Sequence, residues 1–152
     1  MSIKKNETTT NKEFEDNLII NFEEGLFGFE DHKIFLPVAA DEGSDAVITL
    51  HSLDEEGLAF IIMNPFLLME DYDPVVPQSE LECLGEIQDE SDYSWYVLCV
   101  AQKPASQSTV NLRCPVVINT VTRKAKQVIL DNREYGFRHQ LGELTRKEKK
   151  IC

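Results

Sequence analysis

Leu58-Ala-Phe-Ile-Ile-Met63, followed by Asn64-Pro65, is apolar at every one of its positions. Continuous apolarity without alternation predicts a central strand covered on both faces, and Pro65, which has no N–H to give to a ladder, ends it. Similar short segments rich in β-branched and aromatic residues lie on both sides, bounded by Gly, Pro, Asn and Asp. They are Asn17 to Phe22, Lys33 to Val38, Ala46 to Leu53, Ser94 to Gln102, Val110 to Arg113, Val116 to Asn119 and Ala125 to Leu130. This spacing predicts an all-β sandwich or barrel. A single short helix is expected at Pro77-Gln-Ser-Glu-Leu-Glu-Cys-Leu-Gly85, with Ser79 as N-cap, Glu82 completing a capping box and Gly85 as the stop. Leu81 and Leu84 would face the core there, with Cys83 as filler beside them.

The chain has 152 residues, 42% of them hydrophobic and 28% charged, which suits one soluble domain and excludes a disordered, collagen-like or coiled-coil chain. Residues 1–12 are polar and without periodicity, and are expected to form a mobile arm. Residues 13–142 would be the domain and 143–152 a basic tail. The longest apolar run, Trp95 to Ala101, is far short of the roughly 20 residues that span a bilayer. No apolar stretch follows Lys4 and Lys5, so the N-terminus does not read as a secretory signal and a cytoplasmic location is expected. Cys83, Cys99, Cys114 and Cys152 should then stay reduced. No pair of them has Cys-x-x-Cys spacing, so neither a metal nor a cofactor is expected.

Charge divides the chain unevenly. Between Glu13 and Leu112 stand 22 acidic residues against only Lys33 and Lys103, a net of −20, whereas Arg113 to Cys152 carries +6 and the whole chain −12. Such a body repels phosphate backbones and favours a basic protein partner over nucleic acid.

No motif carries catalysis. His51-Ser52-Leu53-Asp54 holds the residue types of a nucleophile and its base, but neighbours on a strand point to opposite faces. Gly25-Leu-Phe-Gly28 lacks the Lys-Ser/Thr of a P-loop, and Glu23, Glu24, Glu30 and Asp31 oppose an anion there. Its glycines suit a tight turn with positive φ that projects Phe27 and Phe29, one of them into the core. Asn111 and Asn119 are turn formers whose side chains hydrogen-bond the backbone, with direct partner contact as the less favoured reading. Val116–Asn119 and the run from Arg123 to Leu130 read as a hairpin.

Taken together, these residues resemble the flagellar assembly factor family FliW, from about Leu18 to Leu141. The likeness rests on Ile20-Asn-Phe22, Glu24-Gly-Leu-Phe-Gly-Phe-Glu30, Leu50-His-Ser52, Leu58-Ala-Phe60, Asn64-Pro-Phe66 and Asp71-Tyr72. It continues through Asn111-Leu-Arg-Cys-Pro-Val-Val-Ile-Asn119, Arg123-Lys-Ala-Lys-Gln-Val-Ile-Leu130 and Tyr135-Gly-Phe-Arg-His139. Phe27, His51 and Cys114 depart from the usual pattern, which has Gly-Ile-Pro-Gly-Phe-Glu, Leu-Gln-Ser and Asn-Leu-x-Ala-Pro at these places.

The resemblance implies a small single-domain β-barrel-like protein that is not an enzyme. It would bind flagellin in the cytoplasm, antagonise the translational regulator CsrA, and control flagellin translation by exchanging the two partners. The alternative is a flagellin-specific export chaperone with no regulator to antagonise. Candidate partner contacts are Phe27, Phe66, Tyr72, Asn111, Arg113, Asn119 and Arg138. Phe66 and Tyr72 enter as members of the apolar, acid-interrupted cluster after Pro65. No direct nucleic-acid contact and no membrane contact are expected, and the chain should be a monomer when free.

Overall fold

The structure is a computed structural model that describes residues 18–41, 43–44 and 46–144. Nine strands form one sheet: β1 Ile20–Phe22, β2 Ile34–Ala39, β3 Val47–Ser52, β4 Ala59–Met63, β5 Tyr93–Val100, β6 Thr109–Val110, β7 Val116–Asn119, β8 Lys124–Gln127 and β9 His139–Gln140. The spatial order is β4-β3-β2-β1-β8-β7-β5-β6-β9, and β4 also pairs with β5. That extra pairing closes the first seven strands into a barrel and leaves β6 and β9 as a flap on its side. β5 makes closure possible because its partners change along its length. Tyr93–Tyr96 pair with β7, Val97–Cys99 with β4, and Cys99–Val100 with β6. β1 and β8 run parallel, with Asn21 opposite Lys124, while the other pairings are antiparallel.

Two apolar clusters sit on the two faces of this wall. Inside the barrel lie Phe22, Phe35, Leu50, Ile62, Tyr96, Val116 and Ile118. Outside it, Tyr72, Leu81, Leu84, Val97, Val117 and Leu130 form a second core under the segment that joins β4 to β5. Side chains alternate across a strand, so Val116 and Ile118 of β7 enter the first cluster and Val117 the second. All four residues of β7 are buried.

The sequence reading of β4 needs correction here. β4 lies between β3 and β5 as expected, but Ala59 is exposed and Ile62 is its single buried residue. The doubly covered strand is β7, because the covering segment docks on Val97, Val117 and Val128 and meets β4 at Met63, which stays partly exposed. Val110 to Arg113 is a strand only at Val110, since the Asn111 side chain turns the chain after it. Past Gln127 the pairing continues without regular strand geometry, Val128 N donating to Pro115 O and Leu130 N to Arg113 O.

The expectation of one helix is also corrected. Pro65–Leu68 is helical, with Asn64 Oδ1 accepting from Phe66 N, and Gln78–Leu81 is a second α-helix. This second helix tightens into a 3-10 turn over Glu82–Leu84 and ends at Gly85, whose φ is 94°. Ser79 does not cap it: the N-cap is Pro77, without a side-chain bond. Leu81 and Leu84 are buried as expected, because residues three apart eclipse in a 3-10 turn. The same geometry turns Cys83 out to solvent. The capping box forms instead at Asp89 and Asp92, on a separate 3-10 turn. The packed core reaches Leu144, two residues past the expected boundary at 142. Residues 1–12 and 145–152, with both arm expectations, lie outside the described residues.

Asn119 holds the end of β7 to the covering segment. Its Nδ2 donates to Leu84 O at 3.0 Å, with longer contacts to Gly85 O and Glu86 O, and its Oδ1 accepts from Val121 N at 2.9 Å and Thr122 N at 3.2 Å. The residue is fully buried. Replacing it with Ala strands polar groups on both sides of the amide. Asn119→Ala should therefore cost about 2–4 kcal/mol in urea unfolding, well above the usual surface substitution.

Candidate functional site

The turn between β1 and β2 begins at Gly25, where φ is +70° and an added Cβ would lie 2.6 Å from Glu30 Cα. Only glycine accommodates both constraints. Gly28, at φ +86°, faces open space. The turn buries Leu26 to 1% exposure and leaves Phe27 at 48% and Phe29 at 40%. The expectation that one of the two phenylalanines is core is thus overturned, since Leu26 fills that place. Phe29 instead lies edge-on against Phe60, ring centroids 4.8 Å apart, and Phe60 in turn packs against Phe35 of the inner cluster.

Gln127, buried at the end of β8, joins this turn to the loop before β7. Its Oε1 accepts from Phe27 N at 2.9 Å and its Nε2 donates to Cys114 O at 3.1 Å. In that loop Asn111 Oδ1 accepts from Cys114 N at 2.9 Å, the turn role expected of it. Arg113 is tied on two sides: its Nε donates to Leu130 O at 2.8 Å and its backbone N to Gly136 O at 3.1 Å. The second bond brings the Gly136–Arg138 segment beside the loop. Phe137, 59% exposed, and Arg138, also exposed, follow Gly136 directly. Ile129, two residues beyond Gln127, is 57% exposed. These bonds thus bring together on one rim of the barrel the segments that carry Phe27, Ile129 and Phe137 as solvent-facing apolar groups and those that carry Arg113 and Arg138.

Charge on this rim differs from the rest of the surface. Lys124 pairs with Glu23 at 3.3 Å, and Lys126 with Glu80 at 2.6 Å and Glu24 at 3.3 Å, so two bases after residue 113 are locally neutralised. The Glu80 bond holds the Lys126 ammonium above its ordinary pKa. Among the described residues Arg113 and Arg138 make no ion pair.

Of the seven candidate contacts, the structure brings Phe27, Asn111, Arg113 and Arg138 to this rim. Phe66 is 42% exposed on the Pro65–Leu68 helix, its ring 5.7 Å from that of Tyr72. Tyr72 and Asn119 are corrected. Tyr72 is 4% exposed, its ring tilted by 37° against that of Tyr135 with centroids 4.8 Å apart, and its hydroxyl donates to Leu112 O at 2.7 Å. Burial pushes its phenol far above the ordinary pKa. Asn119 lies at the opposite end of β7 in the contacts described above. Neither side chain is open to a partner. Ile129, Phe137 and Gln127 were not singled out from sequence, although each stands in a stretch quoted for the resemblance. Exposed and buried apolar residues read alike without a fold, so no local signal separated them.

The FliW protein family model matches residues 3–141. The chain belongs to the FliW family. Relatives share about a third of its residues along nearly their whole length. The flagellar assembly factor FliW of Lachnospira eligens is 33% identical over 139 residues, covering 90% of this chain and 92% of the relative. That of Thermotoga neapolitana is 35% identical, covering 91% and 93%. A crystal structure of the flagellar assembly factor FliW superposes with a TM-score of 0.73 at 34% identity, over 82% of this chain and 85% of that one. The seven-stranded closed barrel is thus a FliW fold, and the expected all-β, barrel-like class holds.

The two turn glycines of this FliW chain separate two costs. Gly25→Ala combines a positive φ with a backbone clash and should lose at least about 3 kcal/mol in urea unfolding. Gly28→Ala meets only the conformational cost, about 1 kcal/mol. Equal losses would show that the Glu30 contact does not constrain the turn.

Proposed function

We propose that this FliW-family chain is a binding protein, not an enzyme, that acts in the cytoplasm as a partner switch. Its apolar rim takes flagellin, and its acidic body takes a CsrA-type translational regulator. The observation that carries the reading is that hydrogen bonds tie the segments bearing the exposed Phe27, Ile129 and Phe137 to the Arg113 loop of a strongly acidic protein. Exposed aromatic anchors with arginine at their edge are the residue types that dominate protein–protein binding energy. Phe66 stands apart from this rim and is the second candidate anchor.

The regulator binds RNA and so must present basic surface. A body of net −20 between Glu13 and Leu112 would attract it and lay a negative field along its RNA path. Free protein would thereby relieve repression of flagellin synthesis, and accumulating flagellin would occupy the protein and release the regulator. The chain itself contacts neither nucleic acid nor membrane and is a monomer when unbound. If flagellin binds and the regulator does not, the protein is an export chaperone instead.

Two measurements test the assignment. Calorimetry with flagellin should show Phe27→Ala and Phe137→Ala each weakening binding about tenfold or more, while both variants keep the wild-type melting temperature. Unchanged affinity in both would remove the rim from the interface. Regulator association should slow steeply between low and high salt, because steering between opposite charges is screened beyond about 10 Å at 0.1 M. An association rate indifferent to salt would rule out the electrostatic mode.

A further inference from the structure

An imidazole closes the turn that carries Phe137 and Arg138 to the rim. Gly136 N lies 2.7 Å from His139 Nε2. A backbone amide keeps its proton throughout the ordinary pH range, so in a contact of this length Nε2 is the acceptor and the neutral ring holds its proton on Nδ1. The other side of Gly136 is tied as well, its carbonyl accepting from Arg113 N at 3.1 Å. His139 is fixed in turn by its place in β9, opposite Val110 of β6. Between these anchors Phe137 is 59% exposed and Arg138 faces solvent, so the backbone of the turn sets where the Phe137 ring stands.

That closure holds for one charge state only. A proton on Nε2 makes both ring nitrogens donors, and the amide then faces another N–H with no lone pair to meet it. Gly136 N has no second acceptor among the described residues, so the turn loses its bond outright. Histidine is the side chain that takes such a proton near neutrality, at about pH 6.5 in an ordinary setting. Among the described residues, the charged and titratable groups on the segments around the ring are Cys99, Lys103, Arg113, Tyr135, Arg138 and Glu143, and β6 brings none. Cys99 stands beyond Val110 in the same cross-strand row, Lys103 in the loop before β6 and Glu143 in the helical turn after β9.

We propose that His139 is a positioning residue for the rim: as the neutral imidazole it holds Phe137 and Arg138 in place for a partner, and on protonation it lets them go. The bond exists only with the neutral ring, so the turn is closed in mildly alkaline solution and opens as the pH falls through the histidine range. The consequence for binding rests on the rim being the flagellin surface proposed above, whereas the state of the turn can be measured in the free protein.

The test follows the backbone amides and histidine rings of the full-length, isotope-labelled chain by nuclear magnetic resonance from about pH 8 to about pH 5, a range that brackets histidine titration. The Gly136 amide, deshielded at high pH by its short bond, should move upfield along the titration curve of the His139 ring and not along those of His32 or His51. Phe137 and Arg138 should follow it, while Val117 in β7 stays in place. His139→Ala should fix the Gly136 amide at its acid position at every pH. His139→Gln, which offers a carbonyl acceptor that does not titrate, should remove the pH dependence. A Gly136 amide that ignores the His139 titration in the wild type would overturn the proposal without any variant. In flagellin calorimetry, the same acidification should weaken wild-type binding about tenfold more than binding by His139→Gln. Equal losses in the two would overturn the positioning role. No flagellin binding at any pH would remove the rim reading instead, and the amide titration would still decide what His139 does.

Discussion

β7 is buried on both faces, and the two cores are built against it. Val116 and Ile118 point into the barrel while Val117 points out under the covering segment, so one strand of four residues belongs to both clusters. A strand so enclosed has no water at its ends to satisfy the chain where it turns. Side-chain amides take that place. Asn119 closes one end onto the Leu84–Glu86 carbonyls, and Gln127 bridges the other end from Cys114 to Phe27. Each amide both donates and accepts, which a carboxylate or a hydroxyl of similar reach does not do in the same geometry.

The Gln127 bridge also explains why the binding rim is where it is. By fixing Phe27 N and Cys114 O to one side chain, it sets the β1–β2 turn against the loop that carries Arg113. Gly25 then forces the turn to bury Leu26 and present Phe27. Arg113 passes the constraint on through Gly136, and so Phe137 and Arg138 arrive at the same rim. Interior hydrogen bonds thus arrange an exterior surface. That is how a rigid scaffold holds apolar groups in solvent without losing them to its core.

Much of the fold was legible because strand period and turn chemistry are local. Pro65 ends β4, Gly85 ends the helical segment with a positive φ, and Asn111 and Asn119 make the turn bonds their residue types suggest. The helix at Pro65–Leu68 carried a readable signal too, an asparagine before a proline at the first helical position. The four-residue β7 gave no sign of its double burial, since its run is shorter than the continuously apolar β4. Of the candidate contacts, Phe27, Arg113 and Arg138 stand on segments tied to one another by hydrogen bonds, whereas Tyr72 turned out to be core. A tyrosine in an apolar cluster reads the same whether its hydroxyl meets a partner or, as here, the carbonyl of Leu112.

The amino-acid order alone determined that the protein is all-β, that its body is acidic to −20 with bases gathered toward the C-terminal end, and that it resembles FliW. Composition, period and short motifs are properties of neighbours along the chain. Closure of the barrel through β4 and β5, the parallel pairing of β1 with β8, and the choice of which apolar residues stay outside were decided only in three dimensions. Each depends on contacts between segments tens of residues apart, where the covering segment's choice of β7 over β4 sets which faces remain dry.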